Sequence, residues 1–511
     1  MPTAASSTEP SLLRRELWAV QDVGHLLRFR AGTVRRRRLW LALAIFGAIT
    51  LAAVLIPAFI PGAGDSDHAL DALILQPSAY AGFLLLALGS AIASGGGREL
   101  VSREQLVGYP VSPTTDHLGA LLLAPLNIAW MLQSWLLLGS GSYGTGPRLF
   151  LPLAIGTALW ILAATALGQV IAWTMEGVRR LPYGVLVVRA VGGLLLAAAA
   201  ALQLTGHLAG FLDSLPTTWI VAGLVSDFGP RWLLTIAVLV ALFVGAVVLG
   251  AVPAHLAARR QPRDELRVES GRYRARPLSR TDLGALLRLD RGSVWRSVPM
   301  RRGLAVLAIG PGLVSLAGAL PWSQMTILPG LVASGGALLF GVNAWCLDVR
   351  GVLWRESLPV APGLVFAARA WVLFEFLLVA ALVTLLLAAM RAGTPTAAEV
   401  AALACTLVVV VLQVVSTALR WSSRNPYPVD LRSARATPAP PVAMVGYSAK
   451  LALTTTLTSL VFSGLSHVPA WPLSIMAAAP FVGWSLLRLM QARDGWVEPV
   501  SRARVVMTVA G

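Results

Sequence analysis

Apolar runs of about twenty residues recur along this chain, and each is long enough to cross roughly 30 Å of hydrocarbon as a helix. That feature leaves few folds open. In lipid every backbone N–H and C=O must find a partner within the protein, so only helices and closed barrels span a membrane. A barrel would show short segments of alternating polarity, and this sequence has none. Only 13% of the residues are charged against 56% hydrophobic, about half the charge of a typical soluble domain. The reading is an all-α polytopic membrane protein. Spanning segments are expected at 39–60, 77–95, 117–138, 150–173, 184–205, 231–254, 303–321, 327–346, 367–390, 397–419, 443–464 and 470–490, twelve in all.

The direction of these segments is read from arginine. With the N-terminus inside, the outer connections are 61–76, 139–149, 206–230, 322–326, 391–396 and 465–469. They and their helix edges hold Arg148, Arg231 and Arg391, and the other 38 of the 41 basic residues fall on the opposite side. Arg189, Arg369, Lys450 and Arg488 are counted there as snorkelling from helix ends. Basic residues in short loops stay cytoplasmic, so both termini are expected inside, at the inner (plasma) membrane of the cell. The net charge of +17 then faces anionic lipid and is not read as a nucleic-acid footprint. The opening "MPTAASSTEPSLLRREL" lacks the apolar core of a signal peptide, so the first spanning helix is expected to direct insertion. Cys346 and Cys405 make neither a disulfide framework nor a zinc site and read as small buried apolar groups.

The chain also repeats itself. "DVGHLLRFRAGTVRR" at 22–36 and "DLGALLRLDRGSVWR" at 282–296 share eight of fifteen positions, each just before the first spanning helix of a set of six. "PVSP" at 110–113 and "PVAP" at 359–362 each follow the second helix of their set. Six is even, so the halves run parallel, which makes a pseudo-two-fold axis along the membrane normal. The domains expected are 1–257, a basic cytoplasmic linker at 258–277, and 278–511. The segment before each first helix is amphipathic, with Leu13, Leu17, Val20, Gly24 and Leu27 stepping by four and three. Such helices lie in the interface plane. Ser279, three residues before Asp282, is expected to cap the second one.

The loops that carry the proline brackets mix charge with bulk. Glu99, Arg103 and Glu104 accompany Leu100 and Leu106. Asp348, Arg350, Arg355 and Glu356 accompany Leu353 and Trp354. Such a segment forms a short helix with one face on the membrane domain and one free for a partner. Pro110 and Pro359 then end it, since the residue before proline avoids the helical region. A plain solvated loop accounts for one such segment but not for a matched pair.

An interfacial helix, six spanning helices and a charged "E…R…L…PVS" loop after the second resemble the permease of an ABC-2 type (type V) exporter. The likeness covers nearly the whole chain. It implies that Glu99, Arg103, Glu104 and Pro110 belong to one coupling helix, and Asp348, Arg350, Arg355, Glu356 and Pro359 to another. Each would seat on a separate ATPase subunit. The segment 206–229, broken by Pro216, is similar to the family's outer helical excursion. The second half departs from the pattern, with only "SHVPA" joining its last two helices. Many family members are also six-helix chains that dimerise.

No phosphate-binding G-x-x-x-x-G-K-[ST] loop exists, because Lys450 is the only lysine. The chain is therefore expected to be no enzyme and to hold no cofactor, with ATP and Mg²⁺ bound by two partner ATPase subunits. The cargo expected is hydrophobic or amphiphilic, such as a drug, antibiotic, lipid or peptide. Glu375 in "VLFEFLLVA" is the one deep carboxylate. It is expected to face the bundle interior and is the candidate for the cargo path. Two other classes stay open. A major-facilitator-type secondary transporter shares the six-plus-six plan but lacks its short G-x-x-x-D-R-x-G-R-R loop here. A membrane-embedded transferase would use Asp65 and Asp67, with His68 beside them, to hold a metal.

Overall fold

The computed structural model describes residues 12–32, 36–93, 111–126, 128–260, 279–317, 320–348, 351–428 and 438–510. Their regular structure is helical throughout. Eight helices are long and apolar enough to cross a membrane. Many large side chains on them, such as Leu194, Leu233, Leu249 and Leu386, are exposed; in water such patches would aggregate, and in lipid they are solvated. The protein is a membrane-embedded helical protein. It divides into two compact units, Met1–Pro262 and Arg263–Gly511. The division falls inside the basic stretch 258–277, of which 261–277 lies outside the described residues.

The first unit opens with α1 (Leu12–Gly32), α2 (Arg36–Ala58) and α3 (Asp67–Ala93). α3 starts ten residues before the expected 77, so most of the expected outer loop is helix. Asp67 lies in its first turn, where a carboxylate offsets the helix dipole. α4 (Pro113–Leu123) follows the first proline bracket. Pro113 stands at its start, where a missing N–H costs nothing, and the Ser112 hydroxyl accepts from Thr115 N–H at 3.0 Å. α5 (Ile128–Arg179) is two limbs joined at Gly146, whose φ of 62° is a left-handed conformation that suits glycine. α3 and α9 (Pro230–Ala258) pack along α5. Small residues let further elements approach these helices closely: a Cβ on Gly156 of α5 would run into the Leu224 side chain, and one on Gly250 of α9 into His117 of α4. Between α6 (Gly184–Leu204) and α9 lie two short helices, α7 (Leu208–Asp213) and α8 (Pro216–Val225). The broken excursion expected at 206–229 is therefore a helix pair with Pro216 opening its second member. At the far end of α5, Arg180 donates to the carbonyls of Ala257 and Arg260, and Arg260 donates to that of Gly177 at 2.9 Å. Two arginines thus satisfy the orphan carbonyls where α5 and α9 end.

The second unit begins with α10 (Asp282–Arg296) and α11 (Val298–Ala317). The cap of α10 is Thr281, not Ser279: its hydroxyl accepts from Gly284 N–H at 3.1 Å. After α12 (Trp322–Met325), α13 (Ile327–Leu339) stops at Phe340 and continues as a 3₁₀ segment, Gly341–Asp348. α14 (Gly351–Glu356) is the short loop helix, α15 (Pro362–Ala389) the long span after the second bracket, and α16 (Ala397–Arg424) and α17 (Pro441–Ser466) follow. α18 (Pro472–Val497) and α19 (Pro499–Ala510) close the unit. One continuous core of buried side chains runs from Leu286 on α10 through the 3₁₀ segment to Val509 on α19.

In both units the amphipathic helix lies on the helix that follows the proline bracket. Val23, Leu26 and Leu27 of α1 pack with Leu118 and Leu123 of α4, and α10 packs on α15.

Candidate functional site

The second bracketed loop leads to a buried group of four charges. α13 ends where Phe340 leaves helical geometry, with φ −149° and ψ −18°, and the 3₁₀ segment after it is kinked at Asn343, with φ −141° and ψ 74°. The freed groups are satisfied from neighbouring elements. Ser422 on α16 accepts from Ala344 N–H at 2.8 Å and donates to Gly341 C=O at 3.0 Å. Asn343 Nδ2 donates to the Tyr427 and Pro438 carbonyls at 2.8 and 3.1 Å. A broken helix survives at membrane depth only with such substitutes. The break carries Asp348 to the junction of α10, α14 and α15.

There Arg369 of α15 holds Asp290 of α10 with two bonds, Nε to Oδ2 at 2.9 Å and Nη2 to Oδ1 at 3.0 Å. Its Nη2 also reaches Asp348 Oδ2 at 2.7 Å, and its Nη1 donates to the Ala344 carbonyl. Arg355 of α14 closes the group, 2.6 Å from Asp348 Oδ2 and 3.8 Å from Asp290 Oδ1. All four side chains are at most 4% exposed. Two carboxylates and two guanidiniums sum to zero, which is the condition for burying charge at tolerable cost. Burial pushes the Asp290 carboxyl up while Arg369 pulls it back; burial also lowers the Arg355 guanidinium. The Trp345 ring stacks on Trp496 at 3.5 Å between centroids, and Arg369 lies 5.6 Å from the Trp345 centroid, so two indoles seal one side of the group.

A second, wetter pair joins the same two helices. Arg291 of α10 reaches Glu375 Oε2 of α15 through Nη2 at 2.6 Å and Nε at 3.0 Å. These side chains are 42% and 34% exposed.

The expected coupling residues therefore divide. Asp348 and Arg355 turn inward to the charge group. Glu356 is exposed and takes Arg502 of α19 at 2.9 Å. Pro359 is exposed beyond the end of α14. The surface of α14 open to a partner carries Leu353 and Trp354, 48% and 61% exposed. Glu99, Arg103, Glu104, Pro110 and Arg350 lie outside the described residues. Glu375, expected to face the interior as a lone deep carboxylate, is instead the partner of Arg291. Arg369, expected to snorkel, is fully buried. The other candidate, Asp65 and Asp67 with His68, is not part of any group of three or more possible metal ligands, and the described residues contain no such group.

Asp290 and Arg369 escaped the sequence reading, although a signal existed. In register with the repeat, the first half carries Arg30 opposite Asp290, Leu106 opposite Arg355 and Ala120 opposite Arg369; only Glu99, opposite Asp348, keeps its sign. Three of the four charges are thus peculiar to the second half, and that sets them apart. Two histidines that look scattered also meet the same region of the first unit: His255 of α9 bonds Thr114 of α4 at 3.0 Å, and His117 of α4 lies 3.2 Å from the Val247 carbonyl.

No family model, curated protein or solved structure matches this chain at a significant level.

Proposed function

We propose that this chain is the membrane-spanning subunit of an ATP-driven exporter of the ABC-2 kind. It carries two parallel six-helix halves, two ATPase subunits supply ATP hydrolysis with Mg²⁺, and the chain itself is no enzyme. Both termini face the cytoplasm across the plasma membrane, and the cargo is hydrophobic or amphiphilic. Twelve passes follow if the two limbs of α5 count separately and α2, α11 and α17 join the eight apolar helices.

The observation that carries the reading is the linkage through Arg355. The loop helix α14 is tied by one buried guanidinium to Asp348 and Asp290, and through them to Arg369 inside α15. A displacement of α14 is thereby passed to an amphipathic helix and a spanning helix together. Close-packed charge groups have discrete arrangements and do not deform smoothly, which suits a part that transmits force. Leu353 and Trp354 on its open face supply the apolar contact a partner cleft would take. ATP drives transport on this scheme by binding one conformation better than the other.

The test is purification of the chain from its native cells followed by mass measurement of the intact complex. Two ATPase subunits per chain is the expected result. Transport in a proton gradient by the purified chain, with no ATPase present, would put a secondary transporter in its place.

A further inference from the structure

A second concentration of charge in the Arg263–Gly511 unit has no compensation. Arg420 and Arg424 of α16, Lys450 of α17 and Arg488 of α18 line one cavity of about 230 Å³, with Thr417, Trp421 and Asn425 completing the wall. None of these seven residues is acidic. Among the described residues, none of the four cations belongs to an ion pair. Arg420 has a neutral partner, Gln491 Oε1 at 2.9 Å. Arg291, Arg355, Arg369 and Arg502 all face carboxylates, and Arg180 and Arg260 cap helix carbonyls. Here four cations meet with no carboxylate among the lining residues.

Its donors also want acceptors. Trp421 Nε1 and Arg488 Nε are buried and unpartnered. An unmade hydrogen bond of this kind costs about 1–3 kcal/mol each, and four like charges around one cavity repel. Both costs vanish if the cavity holds a group that is negative and rich in acceptor oxygens. The forked guanidinium matches phosphate in charge and geometry, and Arg488 is steadied by the Trp484 ring 5.3 Å away.

The position of the cavity separates the sources of phosphate. Arg424 is the last residue of α16, so the cavity sits at the end of a spanning helix, at headgroup level. Beside it on α17 and α18, Leu453, Leu457, Trp484 and Leu487 are exposed, the surface along which acyl chains lie. Basic pockets between membrane helices take acidic headgroups on these grounds. We propose that this cavity binds the phosphate of an anionic phospholipid. Free phosphate offers the same chemistry without the acyl chains. The proposal does not depend on the exporter reading.

The test uses the purified full chain in neutral detergent, titrated with phosphatidylglycerol, phosphatidylcholine or inorganic phosphate, with bound ligand counted by native mass spectrometry. Phosphatidylglycerol should bind, and phosphatidylcholine should bind far more weakly. Arg424→Gln and Lys450→Gln should each weaken phosphatidylglycerol binding roughly tenfold or more, the weight of one charge-assisted contact. Arg280→Gln, an exposed change in the same unit, should leave it unchanged. Wild-type binding should also fall as salt rises, a readout that needs no variant. Inorganic phosphate binding as tightly as the lipid overturns the lipid assignment. Equal binding of the two lipids, or unaltered binding by both cavity variants, overturns the site itself.

Discussion

Asp290 and Glu375 each answer an arginine across the α10–α15 contact, yet their surroundings differ. Asp290 is 2% exposed and shares its arginine with Asp348, whereas Glu375 is 34% exposed and holds Arg291 alone. Breaking a buried pair strands a charge that water cannot reach, at about 3–5 kcal/mol. An exposed pair is worth about 0–1 kcal/mol. Asp290→Asn should therefore lower the unfolding free energy of the purified protein by about 3–5 kcal/mol, and Glu375→Gln by about 1 kcal/mol or less. Denaturant titration in micelles checks both. Equal losses would mean that the two pairs are equally wet. Arg355→Glu belongs with Asp290, since it sets a third carboxylate against Asp348 and Asp290. It should fail in folding before it fails in coupling.

At the scale of elements, the break between α13 and the 3₁₀ segment is the joint on which the charge group depends. The 3₁₀ segment is interrupted by the kink at Asn343, so its backbone groups need outside support. Ser422 gives it on both sides, to Ala344 and Gly341. Ser422→Ala strands a buried N–H and should cost about 1–3 kcal/mol. The Ala344 amide should exchange with solvent faster, in step with that loss. Unchanged exchange there would show that another acceptor takes over. In the first unit the joints are made from small residues instead. Gly156→Leu would drive a side chain into Leu224, and overpacking of this kind costs about 1–3 kcal/mol. Thermal unfolding of the variant gives the value.

For the whole molecule, the proposal turns on which face of α14 meets a partner. Arg355 is spent inside the chain and Glu356 is engaged with Arg502, so the contact falls to Leu353 and Trp354. Trp354→Ala with Leu353→Ser should weaken ATPase association at least tenfold, since aromatic anchors at interface centres cost about 2 kcal/mol or more on truncation. Unfolding stability should stay near that of the wild type, because both side chains are exposed in the isolated chain. A pull-down with the ATPase subunit and a melting curve, run on the same preparation, separate the two effects. Retained association would remove α14 from the interface.

How much of this could be read beforehand depends on the range of the interaction. The apolar runs and their helical state follow from local composition and from the demand that backbone groups be satisfied in lipid, and eight of the described helices are long and apolar enough to cross a membrane. Pro113 and Pro362 opening helices is likewise local chemistry, since proline suits the first helical position. The partners of the charges are a different matter. Asp290, Asp348, Arg355 and Arg369 span eighty residues of sequence, and nothing near any one of them says which way it will face. Arg369 and Lys450 read alike in sequence, as single cations in apolar helices. Only packing separates them: Arg369 meets two carboxylates delivered by a second helix and a broken one, while Lys450 meets three arginines. Charge is long-ranged in a low-dielectric interior, so its effect is set by whatever the fold brings close, and that is decided in three dimensions.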